Sequence, residues 1–360
     1  MQRKSKIIYR EWFYIIFSWL ILMYLYFFVA FWGPSNFLQP GVIKDYLYTW
    51  QAHFEIILQS FVFGSLFATI NTVVARTWLR KKSFGYIILV KSLLYIFAIV
   101  FAGFIVFAAF EIFNLLPEKN IEIMWTILSA QYLISLAVYL VFSILLINFL
   151  LQVDRKFGPG NLIKMLFGEY HKPKEEKRIF LFLDLKSSTT IAEHLGHQSY
   201  SRFLQNCFHD ITEIVIKYKA EVYQYVGDEV VLTWKINDGL ESLNCIKAFF
   251  AFENKLNTKK EFYEKQFNTF PEFKGGMDMG LVTVAEIGDL KRDIAYHGDV
   301  LNTASRIQHQ CNKLNKKLLI SKNVESQIKS LNGFSKEFIG ELQLRGKEHT
   351  TQVFSLEYLN

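Results

Sequence analysis

Cysteine is scarce in this 360-residue chain. Its three cysteines, Cys207, Cys245 and Cys311, are odd in number, widely spaced and without a CxxC pair. That argues against a disulfide framework or a zinc knuckle and for reduced cytoplasmic thiols. Charge is sparse too. Asp, Glu, Lys and Arg make up 20% of the residues against 51% apolar ones, which excludes a disordered chain. No basic stripe marks a nucleic-acid face. The formal net charge of +7 divides into +5 over the first 152 residues (11 Lys plus Arg against 6 Asp plus Glu) and +2 over the rest (29 against 27). The basicity therefore belongs mostly to the loops of the first part, and no nucleic-acid partner is expected.

Long apolar runs are what the first part has in abundance. They extend from Ile7 to Trp32, Phe54 to Ala75, Phe84 to Phe110 and Ile123 to Val153. As helices, each can cross roughly 30 Å of hydrocarbon. The first is not a cleavable leader, because it is long, lacks a small-residue cleavage site and is followed by three similar stretches. Arg3, Lys4, Lys6 and Arg10 precede the first span, Arg76, Arg80, Lys81 and Lys82 separate the second from the third, and Arg155 and Lys156 follow the fourth. The other two loops are poor in Lys and Arg. The positive-inside rule thus places both termini and the C-terminal part in the cytoplasm, on an inner or plasma membrane. Four spans require the same sidedness for both ends. Polar residues within the spans are few. Glu55 and Lys91 sit near span ends, where an interface position or snorkelling accounts for them, and Asn71, Gln131 and Asn148 are uncharged. That set does not resemble an ion pathway. The bilayer part reads as an anchor that also assembles the chain, with a sensor of a membrane-borne signal as the sharper alternative.

The organisation is therefore a four-helix, all-α transmembrane domain over 1–153, a linker over 154–177 and an α/β domain over 178–360. Gly158-Pro159-Gly160 ends the fourth span, and Asn161 to Phe167 is a short amphipathic piece. Arg178 to Leu185 alternates as a strand that ends near Asp184. Ser187, Ser188, Thr189 and Thr190 then offer a helix N-cap, with Glu193 downstream. A helix from about Tyr200 to Tyr218 follows. Two apolar strands flank Gly227-Asp228 as a tight hairpin, with Glu229 adjoining. A carboxylate at a turn is most often a cap. Asp184 and Asp228 together, at linked strand ends, are the hard-oxygen ligands that Mg²⁺ takes alongside phosphate oxygens and water. A helix is expected from Gly239 to about Leu256, and another opens at Gly298-Asp299. There Asn302 and Arg306 share a face, an arrangement suited to a polyphosphate or a charged transition state but also common on helix surfaces. Two strands around Arg345-Gly346-Lys347 close the chain.

Taken in order, FLFLDLKSSTTIAEHLG, VYQYVGDEVV, GGMDMGLVTVAEIG, YHGDVLNTASRI and LRGKEHTTQVFSL resemble the catalytic domain of class III nucleotidyl cyclases, across residues 178–358. The resemblance implies a ferredoxin-like α+β sandwich whose homodimer interface builds the active sites. It implies that Asp184, Asp228 and the backbone carbonyl of Leu185 hold two Mg²⁺ or Mn²⁺ ions. Asn302 and Arg306 of the other subunit would orient substrate and stabilise the transition state. Lys347, also of the other subunit, would contact the terminal phosphates, and Thr189 would contact phosphates. Gln224, Ala295 and Phe182 would line the base. The implied activity is a membrane-bound adenylate cyclase that makes cyclic AMP and pyrophosphate from ATP for intracellular signalling. Two positions depart from the family's adenylyl pattern, which has Lys where Gln224 stands and Asp or Thr where Ala295 stands. Glu, the guanylyl choice, is absent from the first as well. Gln both donates and accepts, and Ala does neither. GTP, CTP or UTP therefore remain open as substrates, as does a catalytically silent signalling module. A diguanylate-cyclase palm explains neither NTASR nor RGK.

Overall fold

The computed structural model describes residues 2–31, 49–77, 84–112, 130–158, 161–290, 292–328, 330–331, 333–344 and 349–359. Two compact units meet in sequence at Phe157/Gly158. The first holds four long helices, α1 (Gln2–Phe31), α2 (Trp50–Thr77), α3 (Phe84–Ile112) and α4 (Ala130–Phe157). Each contains a stretch of at least 21 residues long and apolar enough to cross a membrane, which supports a multi-pass membrane protein. Their outward faces are greasy, as lipid demands: Phe97 and Phe104 are 77% and 73% exposed.

Inside the bundle, Trp19 packs edge-on against Phe63 and Phe67, and Phe67 stacks on Tyr95. A Cβ on Gly64 would lie 2.7 Å from the Ile16 Cα, so glycine permits the close approach of α1 and α2. Lys91 departs from the snorkelling expected of it. It is 1% exposed, and its Nζ donates to Asn71 Oδ1 at 2.6 Å. A buried amide on α2 thus receives the cation of α3, and the polar pair joins the two helices.

The second unit begins with α5 (Asn161–Leu166) and carries a seven-stranded path, β2-β3-β1-β4-β6-β8-β7, with β5 added on β4. Its strands are β1 (Lys174–Leu185), β2 (Glu221–Val226), β3 (Glu229–Lys235), β4 (Phe273–Ile287), β5 (Asp293–His297), β6 (Leu318–Ser321), β7 (Phe334–Leu342) and β8 (Thr351–Tyr358). Neighbouring strands pair antiparallel, except that β4 and β6 run parallel. β1 starts four residues before Arg178. It is apolar on both faces because both are covered. Ile179, Leu181, Leu183 and Leu185 join Phe203, Cys207, Phe249 and Phe252 in the main core. Phe180 and Phe182 meet Val231, Val282, Val284, Val300 and Ala304 on the other face.

The helices are α6 (Ser188–Lys217), α7 (Ile236–Leu240), α8 (Asn244–Asn257), α9 (Lys260–Phe267), α10 (Asp299–Leu314) and α11 (Lys322–Gln327). α6 is two helical pieces joined at Gly196, whose φ is 71°. Its expected cap is not made: Ser187 sits at φ 56° with no side-chain bond to the helix. The helix expected over Gly239–Leu256 is broken as well, at Ser242 and Leu243, which take positive φ. Gly239 is pressed against Ile179 and Trp234, and the Asn244 amide donates to the Asp238 carbonyl across the break.

Candidate active site

Asp184 lies next to last in β1, directly opposite Glu229 of β3 and Lys274 of β4. Like charges facing across a ladder are unfavourable, so the Asp184–Glu229 pairing marks a place arranged for something other than stability. Gly227, at φ 59°, occupies the first central position of the β2–β3 loop, where a two-residue turn of this kind needs glycine. The tight turn holds Asp228 close enough to act electrostatically on both other carboxylates. Burial, then Asp184 and Asp228, push Glu229 up to about 7. Asp184 is raised by burial and by Asp228, against the lowering effect of Lys274 and Gln308. The Tyr200 phenol is pushed up to about 12 by burial and by Asp228.

One cation is built in. Lys274 Nζ lies 3.1 Å from Asp184 Oδ2, and its side chain is 11% exposed. Gln308 Nε2, on α10, donates to the same oxygen at 3.0 Å. With three carboxylates against one ammonium, the fully ionised cluster carries a surplus of two negative charges, which a divalent cation would balance. Among the described residues, no three His, Cys, Asp or Glu side chains form a closed metal cluster. A pair of aspartates with a neighbouring carbonyl fits a hard cation that keeps water and phosphate oxygens in its remaining positions.

The other residues singled out in the sequence are dispersed over several elements. On α10 Asn302 is exposed and Arg306 half-buried, and among the described residues neither has a hydrogen bond or ion pair within the chain. Gln308 and Arg306 stand about 200° apart around the helix, so the face that meets Asp184 is not the face that carries Arg306. Gln224 is exposed on edge strand β2. An irregularity at Tyr223 puts Gln224 opposite Val231, on the face that bears Phe182 and Asp184. Ala295 is buried opposite Ala285, and Phe182 is buried beside Val231. Thr189 is exposed in the first turn of α6, and Leu185 is buried. Lys347 lies outside the described residues.

Sequence reasoning passed over Lys274 and Gln308. A lysine at a strand start carries no pattern of its own. Gln308 left a trace: it is polar at an inward position of a helix whose neighbours there, Val300, Ala304, Ile307 and Cys311, are small or apolar.

Residues 170–357 match the family described as the adenylate and guanylate cyclase catalytic domain, over more than half of the chain. The chain is 30% identical over 210 residues to "Adenylate cyclase 2" of Rhizobium meliloti (strain 1021), covering 58% of each protein. It is 23% identical over 181 residues to "Adenylate cyclase 1" of the same organism, covering 49% of this chain and 27% of that one. The chain thus spans 58% and 27% of the lengths of these curated relatives. Among solved structures, a bacterial light-regulated adenylyl cyclase shares the fold at 20% identity and a TM-score of 0.50, over 59% of this chain and 64% of that one. With four apolar helices ahead of a matched mixed α/β domain, the chain belongs to the class III adenylate and guanylate cyclase family.

Proposed function

We propose that the protein is a membrane-bound adenylate cyclase that converts ATP to 3′,5′-cyclic AMP and pyrophosphate as a homodimer with two Mg²⁺ or Mn²⁺ ions per site. One observation carries the reading. The chain gathers Asp184, Asp228, Glu229 and Lys274 at one place, while among the described residues its Asn302 and Arg306 stay unengaged on another face of α10. A site that has carboxylates but lacks an arginine, beside an arginine that lacks a site, is completed by a second copy.

In the reaction, the ribose 3′-oxygen bonds to the α-phosphorus and gives up its proton to solvent. The bond from that phosphorus to the bridging oxygen breaks, and pyrophosphate leaves. Divalent ions held by Asp184, Asp228 and the Leu185 carbonyl would acidify the attacking hydroxyl and offset charge on the leaving group. Arg306 of the second copy meets the charge that grows on the α-phosphoryl oxygens, an interaction stronger in the transition state than in bound substrate. Asn302 orients the ribose. Lys274, already beside Asp184, and Thr189 hold the β- and γ-phosphates together with Lys347 of the second copy. Gln224 reads the base edge over Phe182. The basic segments flanking the spans support a cytoplasmic location for both termini and the cyclase unit.

A second reading keeps the chemistry and changes the base. Gln224 is exposed, has no side-chain partner among the described residues and can face a purine or a pyrimidine, and Ala295 adds no hydrogen bond. The test is product identification. Full-length protein in nanodiscs is given ATP, GTP, CTP or UTP with Mn²⁺ and then Mg²⁺, with Asp228→Ala as the blank, and mass spectrometry looks for the cyclic product. Cyclic AMP absent from the blank supports the proposal. Another cyclic nucleotide overturns the base, and no product from folded dimer favours a silent signalling module.

A further inference from the structure

Gln308 is fully buried, and its amide is half used. Nε2 donates to Asp184 Oδ2, while Oε1 has no partner among the described residues. A buried amide oxygen without a donor is a cost to the fold, and an apolar side chain of the same length would avoid it. Stability alone therefore does not account for a glutamine here. What glutamine adds is a fixed donor aimed at one oxygen of Asp184, leaving the other oxygen to a ligand. The helix that brings it is rigidly seated: a Cβ on Gly276 would lie 2.2 Å from Gln308 N and 2.4 Å from the Ala304 carbonyl.

We propose that Gln308 is a positioning residue for Asp184, so that α10 sets the carboxylate of its own protomer's site while its opposite face presents Asn302 and Arg306 to the partner's site. This rests on the split-site cyclase reading above. One helix then contributes to both active sites of a dimer, holding a ligand on one side and reaching the reacting phosphate on the other.

The first test is Mn²⁺ binding to full-length protein in zwitterionic nanodiscs, followed by electron paramagnetic resonance without nucleotide, with Asp184→Asn as the reference for lost binding. Gln308→Met keeps length and volume and removes the donor. It is expected to weaken Mn²⁺ binding roughly tenfold, the usual scale for losing a group that orients a metal ligand. Ile307→Val loosens the same helix without touching the hydrogen bond, and should lower the melting temperature while leaving Mn²⁺ affinity within about twofold. Unchanged affinity in Gln308→Met, or an equal loss in Ile307→Val, overturns the proposal, as does wild-type protein that binds no better than Asp184→Asn.

The second test uses complementation. A chain with Arg306→Ala is paired with one carrying Asp184→Asn and Asp228→Asn, so that a single complete site remains. Gln308→Met on the first chain, which supplies the aspartates, is expected to raise the Mn²⁺ requirement roughly tenfold. On the second chain it is expected to change it little. Equal effects from both chains overturn the assignment. If no mixed dimer turns over, the split-site reading fails, and the Mn²⁺ titration still decides the role of Gln308.

Discussion

Gly276→Ala is the sharpest probe of how the sheet presents the site. Gly276 lies opposite Phe182 in the β1–β4 ladder, and α10 crosses directly over it. An added Cβ would stand 2.2 Å from Gln308 N, 2.4 Å from Ala304 O and 2.6 Å from Gln308 Cα. All three are backbone atoms of one helix, so no side chain can turn aside. Restoring ordinary contact at about 3.4 Å requires α10 to lift by about 1.2 Å, or β4 to sink by as much. Overpacking of this kind costs about 1–3 kcal/mol. The greater effect falls on catalysis, because that shift carries Gln308 away from Asp184 and moves Asn302 and Arg306 with it. A displacement of about 1 Å costs on the order of a hundredfold in rate. Gly275→Ala is the internal comparison. Its Cβ would meet only side-chain atoms, Leu318 Cδ1 and the Phe249 ring, each at 3.0 Å, and these can give way. Thermal melts and initial rates of the full-length protein should show Gly276→Ala losing about two orders of magnitude in kcat with a lowered Tm. Gly275→Ala should keep kcat within about threefold, with a stability cost near 1 kcal/mol. Equal rates for Gly276→Ala and wild type would refute the claim that contact between α10 and β4 sets the site.

Three further outcomes rest on single clusters. Arg178 is fully buried between Glu176, at 2.9 Å, and Glu221, at 2.8 Å, with its guanidinium over the Tyr296 ring. Arg178→Met should destabilise the cyclase unit by about 3–5 kcal/mol, since it leaves carboxylates without their cation; denaturant titration should also show partial recovery when Glu176→Gln and Glu221→Gln are added. Glu229 has its folded pKa raised from 4.5 to about 7, so the stability it contributes is complete below pH 4.5 and is lost as pH rises through 7. In EDTA, Glu229→Gln should therefore match wild type in Tm at pH 4.5 and exceed it at pH 8, and a parallel pH profile for the two proteins would contradict the assigned cause. In the bundle, Lys91→Met and Asn71→Leu should each destabilise, and a double-mutant cycle scored by denaturation in mixed micelles should return a coupling of about 0.6–2 kcal/mol; strict additivity would show that the 2.6 Å contact contributes nothing.

What the sequence made legible was whatever repeats or sits in a turn. The alternation of RIFLFLDL located β1 and put Asp184 near its end, and Gly227-Asp228 between two apolar runs located the hairpin that brings the second carboxylate to it. The helical spacing of Asn302 and Arg306 held as well. The misreadings came where tertiary contact outweighed local preference. Four Ser and Thr residues in a row suggested a cap, yet Ser187 takes a left-handed conformation as the chain turns out of β1. The apolar pattern after Gly239 suggested one helix, yet Gly239 packs against Trp234 and the chain breaks before Asn244. Lys91 has the position of a snorkelling lysine, but the amide that receives it is 20 residues away on another helix. Lys274 and Gln308 were missed for the same reason. Each owes its place to a partner distant in the chain, Lys274 across the ladder from Asp184 and Gln308 124 residues beyond it. Residues that provide chemistry are visible as types at spacings. Residues that hold them in place are visible only when the strands and helices have met, unless, like Gln308, they leave a polar side chain where the helix period calls for an apolar one. That exception gives a rule for reading related chains: an inward-facing polar residue on the helix equivalent to α10 is a candidate positioning group on its amino-acid pattern alone.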